Sequence, residues 1–84
     1  MGLYKKLKIC AESVLNGVKI HDAELVAKKE LTKEGWKMDY FEIRRQTDLK
    51  KPSDIDSKLV VLGAGFFGKI RLIDNIEFCI PPTI

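Results

Sequence analysis

Apolar residues open the chain at three- and four-residue steps. Leu3, Leu7, Cys10, Val14 and Val18 form one stripe, while Lys5, Lys6, Lys8 and Glu12 fall off it, the pattern of an amphipathic helix. Asn16-Gly17 provides the stop, because glycine takes the left-handed conformation that closes a helix. A second helix follows at once. His21 or Asp22 can cap it, Asp22 and Glu24 suit the positive end of its dipole, and Ile20 and Leu25 are spaced for a hydrophobic staple about a His21 cap. Its inner stripe is Ala23, Val26, Ala27, Glu30 and Leu31, and Gly35 ends it. The short link predicts neighbouring, roughly antiparallel helices.

From Trp36 the period changes to two. Tyr40-Phe41-Glu42-Ile43-Arg44 alternates, with Phe41 and Ile43 on one face and Glu42 and Arg44 on the other. Thr47 to Ser57, polar and containing Pro52, reads as a loop with room for one helical turn after Ser53. Lys58 to Ala64 is apolar on both faces, which suits a central strand. Gly68-Lys69 marks a turn, Arg71 to Phe78 a last strand, and Pro81-Pro82 a stop to pairing. Trp36 and Tyr40, flanking Met38, are placed to cover the edge of the core. The fold class expected is α+β, two N-terminal antiparallel helices packed on a three-stranded, mostly antiparallel sheet. Residues 1–84 make one domain.

Composition narrows the function classes. At 45% hydrophobic and 32% charged residues, with a mean hydropathy of −0.10, the chain is neither disordered nor membrane-spanning in type. Its longest apolar run, Leu59 to Phe67, is far shorter than a spanning helix requires. The net charge of +3 is mild. Lys5, Lys6 and Lys8 form one basic cluster and Arg44, Arg45, Lys50 and Lys51 another; both read as solvated surface, since neither interleaves the aromatics that stack bases. Cys10 and Cys79 are too isolated for a metal site or redox pair and fit free thiols in a reducing cytoplasm. The opening residues carry neither a signal peptide nor a myristoylation signal, Lys6 standing where Ser or Thr is needed.

Four patterns invite chemistry. Gly63-Ala64-Gly65-Phe66-Phe67-Gly68 fits G-x-G-x-x-G, but a dinucleotide fingerprint must open a helix. Here Lys69-Ile70-Arg71-Leu72-Ile73 reads as strand, so the glycines are expected to serve a bulge or close backbone packing. His21 is the single histidine and reads as an exposed cap-region residue. Asp54 and Asp56 could begin a cation site, but Ser53 and Ser57 are weak further donors. Asp74 and Glu77 point to opposite faces of one strand and cannot form a paired-carboxylate site. Asp74 shares a face with Leu72 and Ile76, and its carboxylate needs a partner from Arg71, Asn75 or a backbone amide. No catalytic, cofactor-binding or metal-ligating residue is assigned.

Two runs carry a resemblance. Leu62 to Asn75, ending Arg71-Leu72-Ile73-Asp74-Asn75, looks like the end of pantoate–β-alanine ligases: a small-residue strand, a glycine-centred turn, then R-L-I-D-N. Gly35-Trp36 followed by Asp39-Tyr40-Phe41-Glu42-Ile43 is similar to that family's glycine, spacer and D-Y-x-E-I. Leu3-Tyr4 and the lysine-rich first helix resemble the opening of its C-terminal domain, so the likeness covers nearly the whole chain.

The resemblance implies an ATP-dependent, AMP-forming ligase of pantothenate biosynthesis, which adenylates pantoate and lets β-alanine displace AMP. ATP and magnesium would serve the parent enzyme, and none is expected on this chain alone. The family's pockets lie in an N-terminal Rossmann-like domain, this chain's implied partner, with an H-I-G-H-type motif and a K-M-S-K-S-related motif ahead of the C-terminal domain. His21-Asp22-Ala23-Glu24 is not the first, and Lys37-Met38-Asp39-Tyr40 shares two letters with the second. The implied role is a movable lid, inactive in isolation and cytoplasmic. Two rivals stand beside it. One is an autonomous binding module for a protein or nucleic acid, using Arg44, Arg45 and Lys50; the other is an appended domain of another adenylating enzyme.

Overall fold

A computed structural model describes residues 2–53 and 56–81. Two helices, α1 (Leu3–Leu15) and α2 (Ile20–Lys33), precede three ten-residue strands, β1 (Trp36–Arg45), β2 (Lys58–Phe67) and β3 (Ile70–Cys79). The sheet order is β1-β2-β3 with both pairings antiparallel, as two successive hairpins require. The α+β expectation therefore holds, and the sheet is wholly antiparallel.

The helices form one layer over one face of the sheet. Leu3, Leu7, Cys10 and Val14 of α1 meet Ala23, Ala27 and Leu31 of α2, and both rows close on Phe41, Ile43, Leu59 and Val61. The core also takes in Trp36, whose ring lies 5.3 Å from that of Phe67, so this residue is buried within the cluster rather than capping its edge.

The expected stop to α1 at Asn16-Gly17 holds, and the helices depart from the sequence pattern at four places. α1 stops at Leu15: the Gly17 amide bonds to Val14 and the Val18 amide to Ser13, with Gly17 at φ +99°, the two-bond Schellman ending. Val18 is thereby carried off the stripe into solvent. The N-cap of α2 lies two residues before His21 and three before Asp22. Lys19 holds the N-cap position without a side-chain bond, because Ile20 packs against the core and draws the start with it. The Ile20–Leu25 staple does not form, and Leu25 is exposed. Val26 also leaves the inner stripe, at 56% exposure; Ala23, Ala27 and Leu31, at four-residue steps, suffice for the contact.

Lys6 is the fourth departure. It is only 3% exposed. Lying four residues before Cys10, it faces the groove between the helices, where its Nζ meets Glu34 at 3.3 Å and Glu30 at 3.7 Å. A lysine stem buried along apolar surface with its head between two carboxylates joins α1 to α2.

β2 runs on through Gly63 and Gly65 to Phe67, three residues past the predicted end. The glycines serve close approach. A Cβ on Gly65 would lie 2.6 Å from Met38 Sδ and 3.0 Å from the Lys37 carbonyl oxygen, beside a register shift between Met38 and Tyr40. One on Gly63 would meet Leu7, Leu3 and Phe41 at 3.2–3.4 Å. Gly68, at φ +63°, makes the turn into β3. A strand, not a helix, follows the glycines, so no helix N-terminus is present to take a pyrophosphate.

The loop after β1 is pinned at its start: the Arg45 amide bonds to the Lys50 carbonyl, and the Leu49 amide returns to that of Arg45. The Asp56 amide reaches the Ser53 carbonyl at 3.2 Å; the helical turn expected after Ser53 falls on residues 54 and 55, outside the described residues. Asp54, and with it the Asp54–Asp56 cation reading, lies outside the described residues. So do Pro82 and the rest of the tail to Ile84; β3 ends before them, at Cys79.

Candidate functional site

A depression of about 740 Å³ lies where the start of α2, the end of α1 and the loop before β2 converge on β1. Its polar wall includes Lys19, His21, Glu24, Arg44, Ser53 and Asp56. These are the residue types an active site uses, so their bonds decide what the site can do.

Each carboxylate is already occupied in holding backbone. Glu24 Oε2 accepts the Ile43 amide at 2.7 Å. β1 is an edge strand, and alternate residues turn their N–H away from the neighbouring strand; Glu24 reaches down from α2 to satisfy one such donor. Asp56 Oδ2 accepts the Ser53 amide at 2.7 Å and the Ser53 hydroxyl at 3.1 Å. Ser53 therefore donates to a carboxylate rather than to His21, which has no hydrogen-bond partner among the described residues and is exposed as expected. A nucleophile–base–orienter chain is not assembled here.

The basic residues are largely spoken for. Arg44 pairs with Glu42 and donates to the Ile43 carbonyl at 3.1 Å. Arg45 grips Asp48 through two bonds and lies 3.9 Å from Asp56. That contact raises the Arg45 pKa and, with the Lys50 amide, lowers that of Asp48. Two of the three residues offered for nucleic-acid docking are thus engaged within the fold, leaving Lys50.

Asp74 and Glu77 lie apart, as their strand positions require. Asp74 is half-buried opposite Gly63, and its Oδ1 accepts the Asn75 amide at 2.8 Å. It does for the free edge of β3 what Glu24 does for β1. Arg71, at the start of the same run, bonds instead to Asp39 at 3.1 Å, reaching from β3 across β2 to β1. Cys10 is buried, and burial together with the Glu24 charge pushes its thiol up to about 12, while Cys79 is exposed. Among the described residues no three His, Cys, Asp or Glu side chains stand together as a metal site requires, and none of the described helices is long and apolar enough to cross a membrane.

Sequence reasoning missed two contributors, Glu24 as an edge acceptor and Lys6 as a buried ion-pair partner. Lys6 carried a signal, its four-residue spacing from Cys10. Glu24 carried none, because its partner is a backbone amide 19 residues away.

Comparison with known proteins fits a chain of this kind. The family model described as pantoate-beta-alanine ligase matches residues 1–77. The pantothenate synthetase of Neisseria meningitidis serogroup B is 45% identical over 80 residues, covering 94% of this chain and 29% of that protein. That of Methylobacillus flagellatus is 43% identical over 79 residues, covering 93% and 28%, and that of Shewanella loihica 38% over 76 residues, covering 90% and 27%. The chain spans less than a third of the length of the curated relatives it matches. With the family model aligned to nearly every residue of both helices and all three strands, the chain belongs to the pantoate–β-alanine ligase family.

Proposed function

We propose that this chain is the C-terminal lid domain of an AMP-forming ligase that joins pantoate to β-alanine through a pantoyl-adenylate, and that it is inactive alone. The observation that carries the reading is the family match over 1–77 combined with coverage of 27–29% of the relatives. The arrangement of the described polar groups agrees: its carboxylates hold backbone amides, and its serine is not coupled to its histidine. In this reading ATP, magnesium, pantoate and β-alanine are held by the N-terminal Rossmann-like domain of the parent enzyme, the chain's partner, and the site of action is the cytoplasm. A lid contributes by excluding water from a reactive acyl-adenylate and ordering the reactants.

The test is direct. The isolated chain, given ATP, magnesium, pantoate and β-alanine, forms no AMP above the uncatalysed background. Turnover by the chain alone sinks the claim that it lacks a complete site.

A further inference from the structure

The sheet is longer than the helices that cover it. Ten-residue strands run roughly 33 Å, whereas helices of 13 and 14 residues run only about 20 Å. The excess falls at the β2–β3 turn. Alternation along β2 puts Gly63, Gly65 and Phe67 on the face the helices cover, and Gly63 is where Leu3, the first residue of α1, makes contact. Beyond that level the cover by α1 ends.

The cross-strand pairs past it are Gly65 with Leu72 and Phe67 with Ile70. Leu72 is 43%, Phe67 52% and Ile70 65% exposed. These side chains continue the core's own face into solvent, adjoining the buried Trp36. A contiguous apolar overhang on the core side of a sheet is unlike a scatter of single surface leucines, and marks a contact surface.

We propose that this overhang, centred on Phe67, Ile70 and Leu72, is the seat against which the remainder of the parent ligase packs. The inference rests on the lid-domain reading. The occupant follows from two facts: relatives carry more than two thirds of their length outside the matched part, and α1 starts at the border of the overhang. Protein joined ahead of α1 in such an enzyme arrives at this end of the molecule. A lid seated by a hairpin end keeps the depression at the opposite end of the helices clear of the joint.

The experiment compares hydroxyl-radical labelling of the free chain with that of a chimera, in which this chain replaces the matched segment of the Neisseria meningitidis enzyme. Phe67 and Ile70 label in the free chain and lose most of that labelling in the chimera, while Leu25 and Val26 on α2 label alike in both. Equal labelling of Phe67 and Ile70 in both proteins, or protection of the α2 pair instead, overturns the inference. Ile70→Asp adds a second readout: it leaves the melting temperature of the free chain unchanged and lowers that of the chimera. An equal drop in both proteins assigns Ile70 to the domain's own stability and also overturns the inference. Loss of AMP formation by the unsubstituted chimera bears on the lid-domain reading instead, so the two failures are distinguishable.

Discussion

Gly65→Ala is the sharpest perturbation of the glycine run. The added Cβ would stand 2.6 Å from Met38 Sδ, 3.0 Å from the Lys37 carbonyl oxygen and 3.1 Å from Met38 Cα. The sulfur can swing away, but the backbone atoms cannot move without disturbing the register shift between Met38 and Tyr40. Overpacking of this kind costs about 2 kcal/mol, which lowers the melting temperature of a domain this size by about 8–16 °C. Gly63→Ala is the control. Its neighbours at 3.2–3.4 Å are ends of Leu7, Leu3 and Phe41 side chains, so a few tenths of an ångström of give leaves stability within about 1 kcal/mol of the parent. Gly68→Ala forces a side chain into φ +63° and costs about 1 kcal/mol. Thermal unfolding followed by circular dichroism ranks the three. A parent-like melting temperature for Gly65→Ala, above all with a large loss for Gly63→Ala, would refute the close-approach account. A nucleotide cradle predicts a different outcome: lost ATP affinity without lost stability.

Three further outcomes are expected. Glu24→Ala strands the Ile43 amide, which Glu24 accepts at 2.7 Å, and costs about 1–3 kcal/mol in urea unfolding; Glu24→Gln keeps an acceptor and recovers most of it, and equal stability of all three proteins contradicts the bond's role. At pH 8 an alkylating reagent labels Cys79 in the native protein and Cys10 only on unfolding. Because Cys10 is raised from 9.0 to about 12 in the fold, its contribution is full below pH 9 and is lost as pH climbs through that window, a decline that Cys10→Ala reduces. Asp74→Ala frees the Asn75 amide on the open edge of β3 and promotes concentration-dependent association by strand pairing; sedimentation velocity showing no association at any concentration removes the edge-guarding role.

Periodicity conveyed the architecture because each element has one covered face. The four-residue recurrence from Leu3 to Val14 and the alternation about Phe41 and Ile43 are direct images of burial. What periodicity could not convey lies at the ends of elements and between them. Whether α2 starts at Ile20 or two residues later depends on Ile20 meeting the core, and a Schellman ending, not Val18's polarity, removes Val18 from α1. Lys6 reads as surface by chemistry and as interior by position, and only the pair of glutamates on the neighbouring helix settles it. The candidate site was legible mainly as a set of unassembled parts. His21, Ser53 and Asp56 were visible as residue types, but the bonds that tie Asp56 to Ser53 and Glu24 to Ile43 arise from tertiary approach. The R-L-I-D-N run was legible at once. The structure gives its members separate tasks: Arg71 reaches Asp39, and Asp74 closes an edge amide.

AMP release by the chimera tests the central claim most directly. The Neisseria meningitidis enzyme is made in three forms: intact, with its matched segment deleted, and with this chain in place of that segment. Given ATP, magnesium, pantoate and β-alanine, the deleted form is expected to be inactive and the chimera to recover pantoate-dependent AMP formation. A chimera that folds, as judged by its circular dichroism and melting transition, yet forms no more AMP than the deleted enzyme would contradict the account.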